Sequence, residues 1–190
     1  MTGGEAESEA DAGAALVRPA HLVLVGLPGA GKTTHGRHAA RHMQRPFIDL
    51  DKRVAHLAGR SVPEIFRLEG EAAFRSRERL ATAALSLEPA SIVAPGGGWV
   101  LDPANVALVK PAATIIWLKV SPRVAVRRMG GRVGLRPLLA EGDPVARLEA
   151  LLRQREARYA TADAVIDTEV LDWQGVVSEI AALATPATGR

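Results

Sequence analysis

The stretch GLPGAGKT, residues 26–33, decides the fold of this chain. It matches the pattern G-x-x-x-x-G-K-[ST] completely, follows the apolar run HLVLVG at 21–26 and precedes a helical pattern over 32–44. A strand, a glycine-rich loop and a helix in this order build an anion site, because the loop amides and the positive end of the helix dipole converge on one phosphate group. The stretch therefore predicts a site for a nucleoside triphosphate.

The residue types in this loop predict what its side chains do. The glycines let the backbone curl so that successive N–H groups point at phosphate oxygens. Lys32 would then reach the β- and γ-phosphates, and the Thr33 hydroxyl would be a ligand of Mg²⁺. We expect ATP with Mg²⁺ here, bound by Gly29, Ala30, Gly31, Lys32, Thr33 and Thr34.

The pattern outside the loop predicts an α/β domain. Apolar runs indicate strands at 21–26, at 46–51, from 91 up to the glycines of 91–98, at 113–120 and at 163–168. Helical patterns separate them at 32–44, at 61–87, from 121 onward, at 143–159 and at 173–183. Apolar strands that alternate with helices are typical of a parallel sheet covered on both faces. We therefore predict a three-layer P-loop fold, with a five-stranded parallel sheet and helices on both of its faces.

Composition narrows the class of protein. Apolar residues make up 47% of the 190 residues, charged residues make up 24%, and there is no cysteine. These values exclude a largely disordered chain, a disulfide scaffold and a Cys-ligated zinc site. No apolar run approaches the roughly 20 residues of a membrane helix, and the acidic start MTGGEAESEAD is unlike a signal peptide. We expect a cytoplasmic protein with a disordered acidic tail over 1–19 and one domain over 20–190.

Asp49 and Asp51 stand at the predicted end of the second strand. Ligands of doubly wound sheets gather beyond the carboxyl ends of the strands, and two carboxylates one residue apart on a strand point the same way. One carboxylate could serve Mg²⁺, and the other could orient the acceptor hydroxyl or take its proton. A helix cap is the alternative for a single aspartate at this place. Next to a phosphate loop, we favour the functional interpretation.

Two further features could recognise an anionic substrate. Arg75 and Glu78 lie at the helical spacing i, i+3 and can pair, which would fix the guanidinium. From the local sequence alone, a solvated ion pair on a helix surface is the favoured interpretation. Gly96, Gly97 and Gly98 follow the third strand and would let a small ligand approach backbone N–H groups closely, with a plain tight turn as the alternative.

The stretch from Lys119 to Arg136 is rich in arginine and contains no acidic residue. It lacks the interleaved aromatic side chains that single-stranded nucleic acids stack on, and its glycines favour a mobile lid over about 128–142 that closes on ATP. The run Arg136-Pro137-Leu138-Leu139 would be the C-terminal hinge of this lid, and Arg155 projects from the helix that follows.

Three histidines, His35, His38 and His42, fall on one face of the first predicted helix. Their spacing would suit a metal ion, but no carboxylate partner is evident in the sequence. We therefore interpret them as a solvated helix face.

Together these motifs resemble the shikimate kinase family, and the resemblance runs from about 21 to 183. The phosphate loop, the D-x-D, the F-R at 74–75 with the triple glycine, and the R-P-L-L at 136–139 occur in the family's order. The resemblance implies a P-loop kinase domain that transfers the γ-phosphoryl group of ATP to the 3-hydroxyl of shikimate, giving shikimate 3-phosphate and ADP. Lys32, Asp51 and Arg136 would be the catalytic residues.

The same resemblance implies a role for each remaining candidate. Asp51 would hold the shikimate hydroxyls and act as the base, while Arg75 and Arg155 would clamp the carboxylate. Thr33 and Asp49 would hold Mg²⁺. The full implied set is Asp51, Arg75, Gly97, Gly98 and Arg155 for shikimate, with Arg128 and Arg136 added to the phosphate loop for ATP.

The chain departs from the family pattern at two places. The segment 128–136 is one residue longer than the usual lid, and Trp173 stands after the fifth strand, where the family often has a basic residue and a proline near the adenine. Two alternatives stay open: a kinase for another small hydroxy acid such as gluconate, and a non-catalytic nucleotide-binding module. Either way, we expect a monomer that binds neither nucleic acid nor a membrane.

Overall fold

A computed structural model describes residues 21–135, 139 and 142–184 of the chain. Its strands are β1 (His21–Val25), β2 (Phe47–Asp49), β3 (Ile92–Ala94), β4 (Ala113–Lys119) and β5 (Ala164–Asp167). Within these residues the α-helices are α1 (Lys32–His42), α2 (Leu50–Ala58), α3 (Val62–Ala83), α4 (Pro103–Val109), α5 (Pro122–Met129), α6 (Pro144–Tyr159) and α7 (Trp173–Ala182). Short 3₁₀ helices span Ala84–Leu87, Trp99–Leu101, Lys110–Ala112 and Gly130–Leu135.

The five strands form one parallel sheet in the order β2-β3-β1-β4-β5. All five residues of β1 are buried, as expected for a central strand with helices on both faces of the sheet. The predicted α/β class and the five-stranded parallel sheet are confirmed. The chain leaves β1 toward β2 and leaves β3 toward β4, so the direction of winding changes between β1 and β3. Ligands of such sheets bind beyond the carboxyl ends of the strands at this change.

The second strand is shorter than predicted, and the helix that follows it was missed. Asp49 ends β2 and caps α2, because its side chain accepts a hydrogen bond from the Lys52 backbone N–H at 3.2 Å. Leu50 and Asp51 therefore lie in the first turn of a helix and not on a strand. The prediction that both carboxylates extend from one strand end was wrong about their geometry.

The predicted helix over 61–87 exists, but its interior is interrupted. Ser61 and Glu64 form the expected capping box at its start, with reciprocal hydrogen bonds between side chains and backbone N–H groups. Gly70 then adopts φ 83° and ψ 172°, a conformation that L side chains rarely reach, and it kinks α3. After Ala83 the chain continues as a 3₁₀ turn.

The third strand ends at Ala94, ahead of the glycines as predicted, and Pro95 has no backbone N–H for the ladder. The triple glycine thus lies in a turn beyond β3. In the described part of the predicted lid, 128 and 129 belong to α5, and Gly130–Leu135 is a 3₁₀ helix where we predicted a loop. In the described ranges, no helix has both the length and the apolar character needed to cross a bilayer.

Candidate active site

A cleft of about 730 Å³ opens where β1 and β3 end. Its walls come from the phosphate loop, the first turns of α1 and α2, the turn after β3 and the end of α5. The lining includes Gly29, Gly31, Lys32, Thr33, Thr34, Asp49, Asp51, Gly96, Gly97 and Arg128. The cleft therefore contains most of the residues that the sequence nominated.

The phosphate loop has the curled backbone that its glycines predict. Gly29 and Gly31 have φ values of 86° and 89°, and a Cβ atom at Gly29 would lie 2.6 Å from the Ala125 carbonyl oxygen. The Lys32 ammonium donates to the carbonyl oxygens of Gly26 at 2.8 Å and Leu27 at 3.1 Å. These bonds hold its positive charge at the loop, beside the position that a phosphate group would take.

Asp49 and Asp51 both line the cleft, as predicted, although they reach it from a cap and a helical turn. For Asp49 the two interpretations that we weighed are compatible, because the carboxylate caps α2 and also lines the cleft. Asp51 is close enough to Glu78 that its negative charge raises the pKa of Glu78. The two aspartates thus place their negative charge next to the cationic phosphate loop.

Each glycine of the turn at 96–98 lies against a different predicted substrate residue. At the first glycine, a Cβ atom would come within 2.6 Å of Asp51 Oδ1. A Cβ atom at Gly97 would come within 3.0 Å of Arg155 Nη1, and one at Gly98 within 2.7 Å of Arg75 Nη2. Side chains at these positions would displace the functional groups. The sheet therefore brings Asp51, Arg75 and Arg155 together around one short turn.

A buried polar network holds this turn from behind. The Trp99 indole donates to the Thr82 hydroxyl at 2.9 Å, and Asn105 Nδ2 donates to the Trp99 carbonyl oxygen at 3.2 Å. All three side chains are buried, so these hydrogen bonds are protected from water. The sequence analysis missed this network, because its members lie on three separate elements.

Arg75 lies between two carboxylates of its own helix. It donates to Glu71 at 3.0 Å and to Glu78 at 2.9 Å. Glu78 is only 1% exposed, so the expected solvated ion pair was wrong for this partner. Burial raises the pKa of the Glu78 carboxyl, while the hydrogen bond from Arg75 lowers it. The buried Glu78 carboxylate and the exposed Glu71 carboxylate together fix the Arg75 guanidinium.

Arg155 has a different environment, although the two arginines meet the same turn. Its residue is 6% exposed, and Nη1 donates to the Gly97 carbonyl oxygen at 2.8 Å. Its Nε atom is buried without a hydrogen-bond partner, and no carboxylate pairs with it in the part of the chain that the structure describes. A buried cation without a counter-ion is costly. This arrangement is therefore suited to an anionic ligand.

Three residues with titratable side chains line the cleft but were not nominated for function from the sequence. Arg37 and Lys52 line the cleft, and Arg37 also stacks over the Phe47 ring. His35 lines it too, and its ring lies against Gly31, with Nδ1 buried and unpartnered among the described residues. Burial lowers the pKa of His35, and the charges of Arg128 and His38 lower it further. The expectation of a solvated histidine face was wrong for His35; adjacency to the phosphate loop was the signal that could have indicated this.

The structure reaches only part of the predicted lid. Arg128 lines the cleft, but its guanidinium donates to both the hydroxyl and the carbonyl oxygen of Thr168, just beyond β5. Trp173 contacts His38, with their ring centroids 5.0 Å apart. Arg136 and the predicted tail over 1–19 lie outside the described residues.

The donors in the cleft fit Mg²⁺. Thr33 and Asp49 line it together, and both offer oxygen ligands. Among the residues described, no group of three or more His, Cys, Asp or Glu side chains could hold a metal ion by itself. Mg²⁺ commonly retains several waters and binds through one or two protein side chains plus substrate phosphates. Two oxygen donors beside a phosphate loop are therefore sufficient.

Comparisons with known proteins agree with this geometry. Residues 28–184 match the family model described as shikimate kinase. The shikimate kinase of Moorella thermoacetica is 41% identical over 162 residues, which are 85% of this chain and 92% of that protein. The structure of a shikimate kinase from Acinetobacter baumannii in complex with shikimate superposes with a TM-score of 0.79 at 32% identity, covering 88% of this chain and 93% of the other.

A gluconokinase from Sinorhizobium meliloti also superposes, with a TM-score of 0.58 at 18% identity, over 88% of this chain and 92% of that one. At this level of identity, the likeness shows a shared fold and carries no argument about the acceptor.

Proposed function

The chain belongs to the shikimate kinase family, and from that membership we propose that its cleft transfers the γ-phosphoryl group of ATP to the 3-hydroxyl of shikimate. The chain is an ATP-dependent small-molecule kinase that uses Mg²⁺. One observation carries the choice of acceptor: a carboxylate and two guanidinium groups converge on three consecutive glycines beside the phosphate loop. A hydroxylated carboxylic acid offers the matching groups.

The acceptor is held by charges of both signs. The Arg155 guanidinium and the Arg75 guanidinium bind the shikimate carboxylate, and the backbone of Gly97 and Gly98 lets it approach closely. Asp51 accepts hydrogen bonds from the ring hydroxyls and orients the 3-hydroxyl toward the phosphate loop. Because Asp51 and the arginines touch neighbouring glycines, the acceptor is fixed at both of its ends.

Transfer then needs a base and a set of cations. The 3-hydroxyl oxygen forms a bond to the γ-phosphorus as the bond to the β-phosphate oxygen breaks, and the hydroxyl proton passes to Asp51. Lys32 stabilises the negative charge on the transferred group, and Arg136 would add a second cation from the lid. Thr33 and Asp49 would hold Mg²⁺, which neutralises charge on the phosphates when it is bound. Arg128, which lines the cleft, would contact the bound ATP.

A coupled ADP-release assay tests this proposal across shikimate, gluconate and a panel of small hydroxy acids. We expect the highest kcat/KM with shikimate, and Lys32→Ala protein supplies the background rate. A higher kcat/KM for gluconate would overturn the acceptor, and no acceptor-dependent release at all would favour a non-catalytic nucleotide-binding module.

The remaining expectations are part of the same proposal. A monomeric state, a cytoplasmic location and the absence of nucleic-acid and membrane partners stay predictions. So do the boundaries of the tail and the lid.

A further inference from the structure

Tyr159 lies next to Arg155, one of the two arginines proposed to bind the shikimate carboxylate, and it has no role in the mechanism above. We call Arg75 and Arg155 the carboxylate clamp. It is the last residue of α6, four positions after Arg155, so the two side chains share one face of the helix. Tyr159 is completely buried, and its ring stacks on Trp117 of β4, with the centroids 5.6 Å apart and the planes inclined by 24°. The side chain therefore joins the helix that carries Arg155 to the centre of the sheet.

The Tyr159 hydroxyl and Arg155 share one acceptor. The hydroxyl donates to the Gly97 carbonyl oxygen at 3.4 Å, and Arg155 Nη1 donates to the same oxygen at 2.8 Å. A carbonyl oxygen has two lone pairs and can accept both bonds. Burial raises the pKa of the Tyr159 phenol, while the Arg155 charge and a side-chain hydrogen bond with Arg155 lower it. A phenol is protonated at neutral pH, so the hydroxyl is available as a donor.

We propose that Tyr159 is a positioning residue for shikimate, which acts through the Gly97 carbonyl on the Arg155 guanidinium; this rests on the proposed function. Arg155 donates to the Gly97 carbonyl oxygen, its side chain also interacts with the Tyr159 hydroxyl, and its Nε has no partner among the described residues. The position of the guanidinium therefore depends on the Gly97 carbonyl and on the Tyr159 hydroxyl that shares this acceptor. Glycine leaves its peptide groups freer to rotate than any other residue does, and the Tyr159 hydroxyl removes that freedom.

The variant Tyr159→Phe tests the hydroxyl while it keeps the ring on Trp117. The loss of one neutral hydrogen bond predicts a rise of about three- to tenfold in the KM for shikimate. The KM for ATP should stay the same, since Tyr159 does not line the nucleotide cleft, and kcat should change by less than about twofold.

Ser91→Ala is the matched control, because it removes another buried hydroxyl, one that donates to the Pro89 carbonyl oxygen at 2.6 Å at the opposite end of β3. It should leave both KM values unchanged. Tyr159→Phe should also raise the KM for shikimate much less in an Arg155→Lys background, because the two residues act on the same contact.

An unchanged KM for shikimate in Tyr159→Phe would overturn the proposal. Parallel rises in both KM values, together with a fall in Tm, would also overturn it, since they would show a general packing role. Wild-type protein that releases no ADP with shikimate would instead refute the proposed function, and this inference with it.

Discussion

Replacing Arg155 by methionine should stabilise the free protein and at the same time strongly weaken shikimate binding. Arg155 is 6% exposed, its guanidinium donates to the Gly97 carbonyl oxygen, and none of the ion pairs among the described residues involves it. Effective penalties for an unpaired buried ion reach several kcal/mol. Methionine keeps the aliphatic stem and removes the charge, and the Gly97 carbonyl retains the Tyr159 hydroxyl as a donor.

The two effects have opposite signs. We expect the free energy of unfolding to rise by about 1–2 kcal/mol, which lies within the usual range for a single stabilising substitution. For a chain of this size, that is a Tm increase of about 2–8 °C. Shikimate loses two charge-assisted hydrogen bonds, each worth about 1.5–3 kcal/mol, so its Kd should rise about 100-fold or more.

Arg75→Met is the matched comparison, because it removes the same group from the other side of the clamp. It leaves the buried Glu78 carboxylate without its main partner. Breaking such a pair is destabilising, here by about 2 kcal/mol after allowing for the partial exposure of Arg75, or a Tm loss of about 4–8 °C. Both variants should lose affinity for shikimate, and only Arg75→Met should lose stability.

Scanning calorimetry of the free proteins and titration calorimetry with shikimate measure both quantities. A Tm for Arg155→Met well below that of wild type would refute the reasoning, because the buried charge would then be compensated in the free protein. Equal Tm losses in the two variants would refute the distinction between the arginines.

Three further predictions follow from the same site and from the core. Lys32→Ala and Asp51→Asn should each reduce kcat by about 100-fold or more with circular dichroism unchanged, and a fully active Asp51→Asn protein would remove this carboxylate from the mechanism. Gly98→Ala puts a Cβ atom 2.7 Å from Arg75 Nη2, so the KM for shikimate should rise by about tenfold while the KM for ATP is unchanged. Steady-state kinetics with each substrate varied test this, and an unchanged KM for shikimate would show that the guanidinium shifts freely. His21 is buried between the Leu85 carbonyl and the Ser91 N–H, and burial lowers its pKa from 6.5. Its neutral form therefore stabilises the fold fully above about pH 6.5, and this stability is lost as the pH falls. The free energy of unfolding, measured with denaturant from neutral to acidic pH, should depend less steeply on pH in His21→Leu than in wild type. An equal pH dependence in the two proteins would contradict this role.

Much of the fold follows from local sequence, and the phosphate loop shows why. Its geometry depends on a few consecutive residues, since glycines at 29 and 31 supply positive φ values and the helix begins at Lys32. The capping box at Ser61 is equally local. Helix α2 was missed because a single Asp49 both ends a strand and caps a helix, and no pattern in that short segment separates the two roles.

The sequence by itself also determined that residue types suited to binding ATP and an anionic acceptor are present, because its motifs contain them. Only the tertiary structure decided how each charge is balanced. Arg75 has its counter-ions on its own helix, whereas Arg155 reaches a carbonyl 58 residues away in the chain and meets no described carboxylate. That contact exists because β3 lies next to β1 in the sheet and α6 packs across the turn that follows β3. Burial and ion pairing depend on distances between remote segments, and these distances are set by the order of the strands rather than by any local pattern.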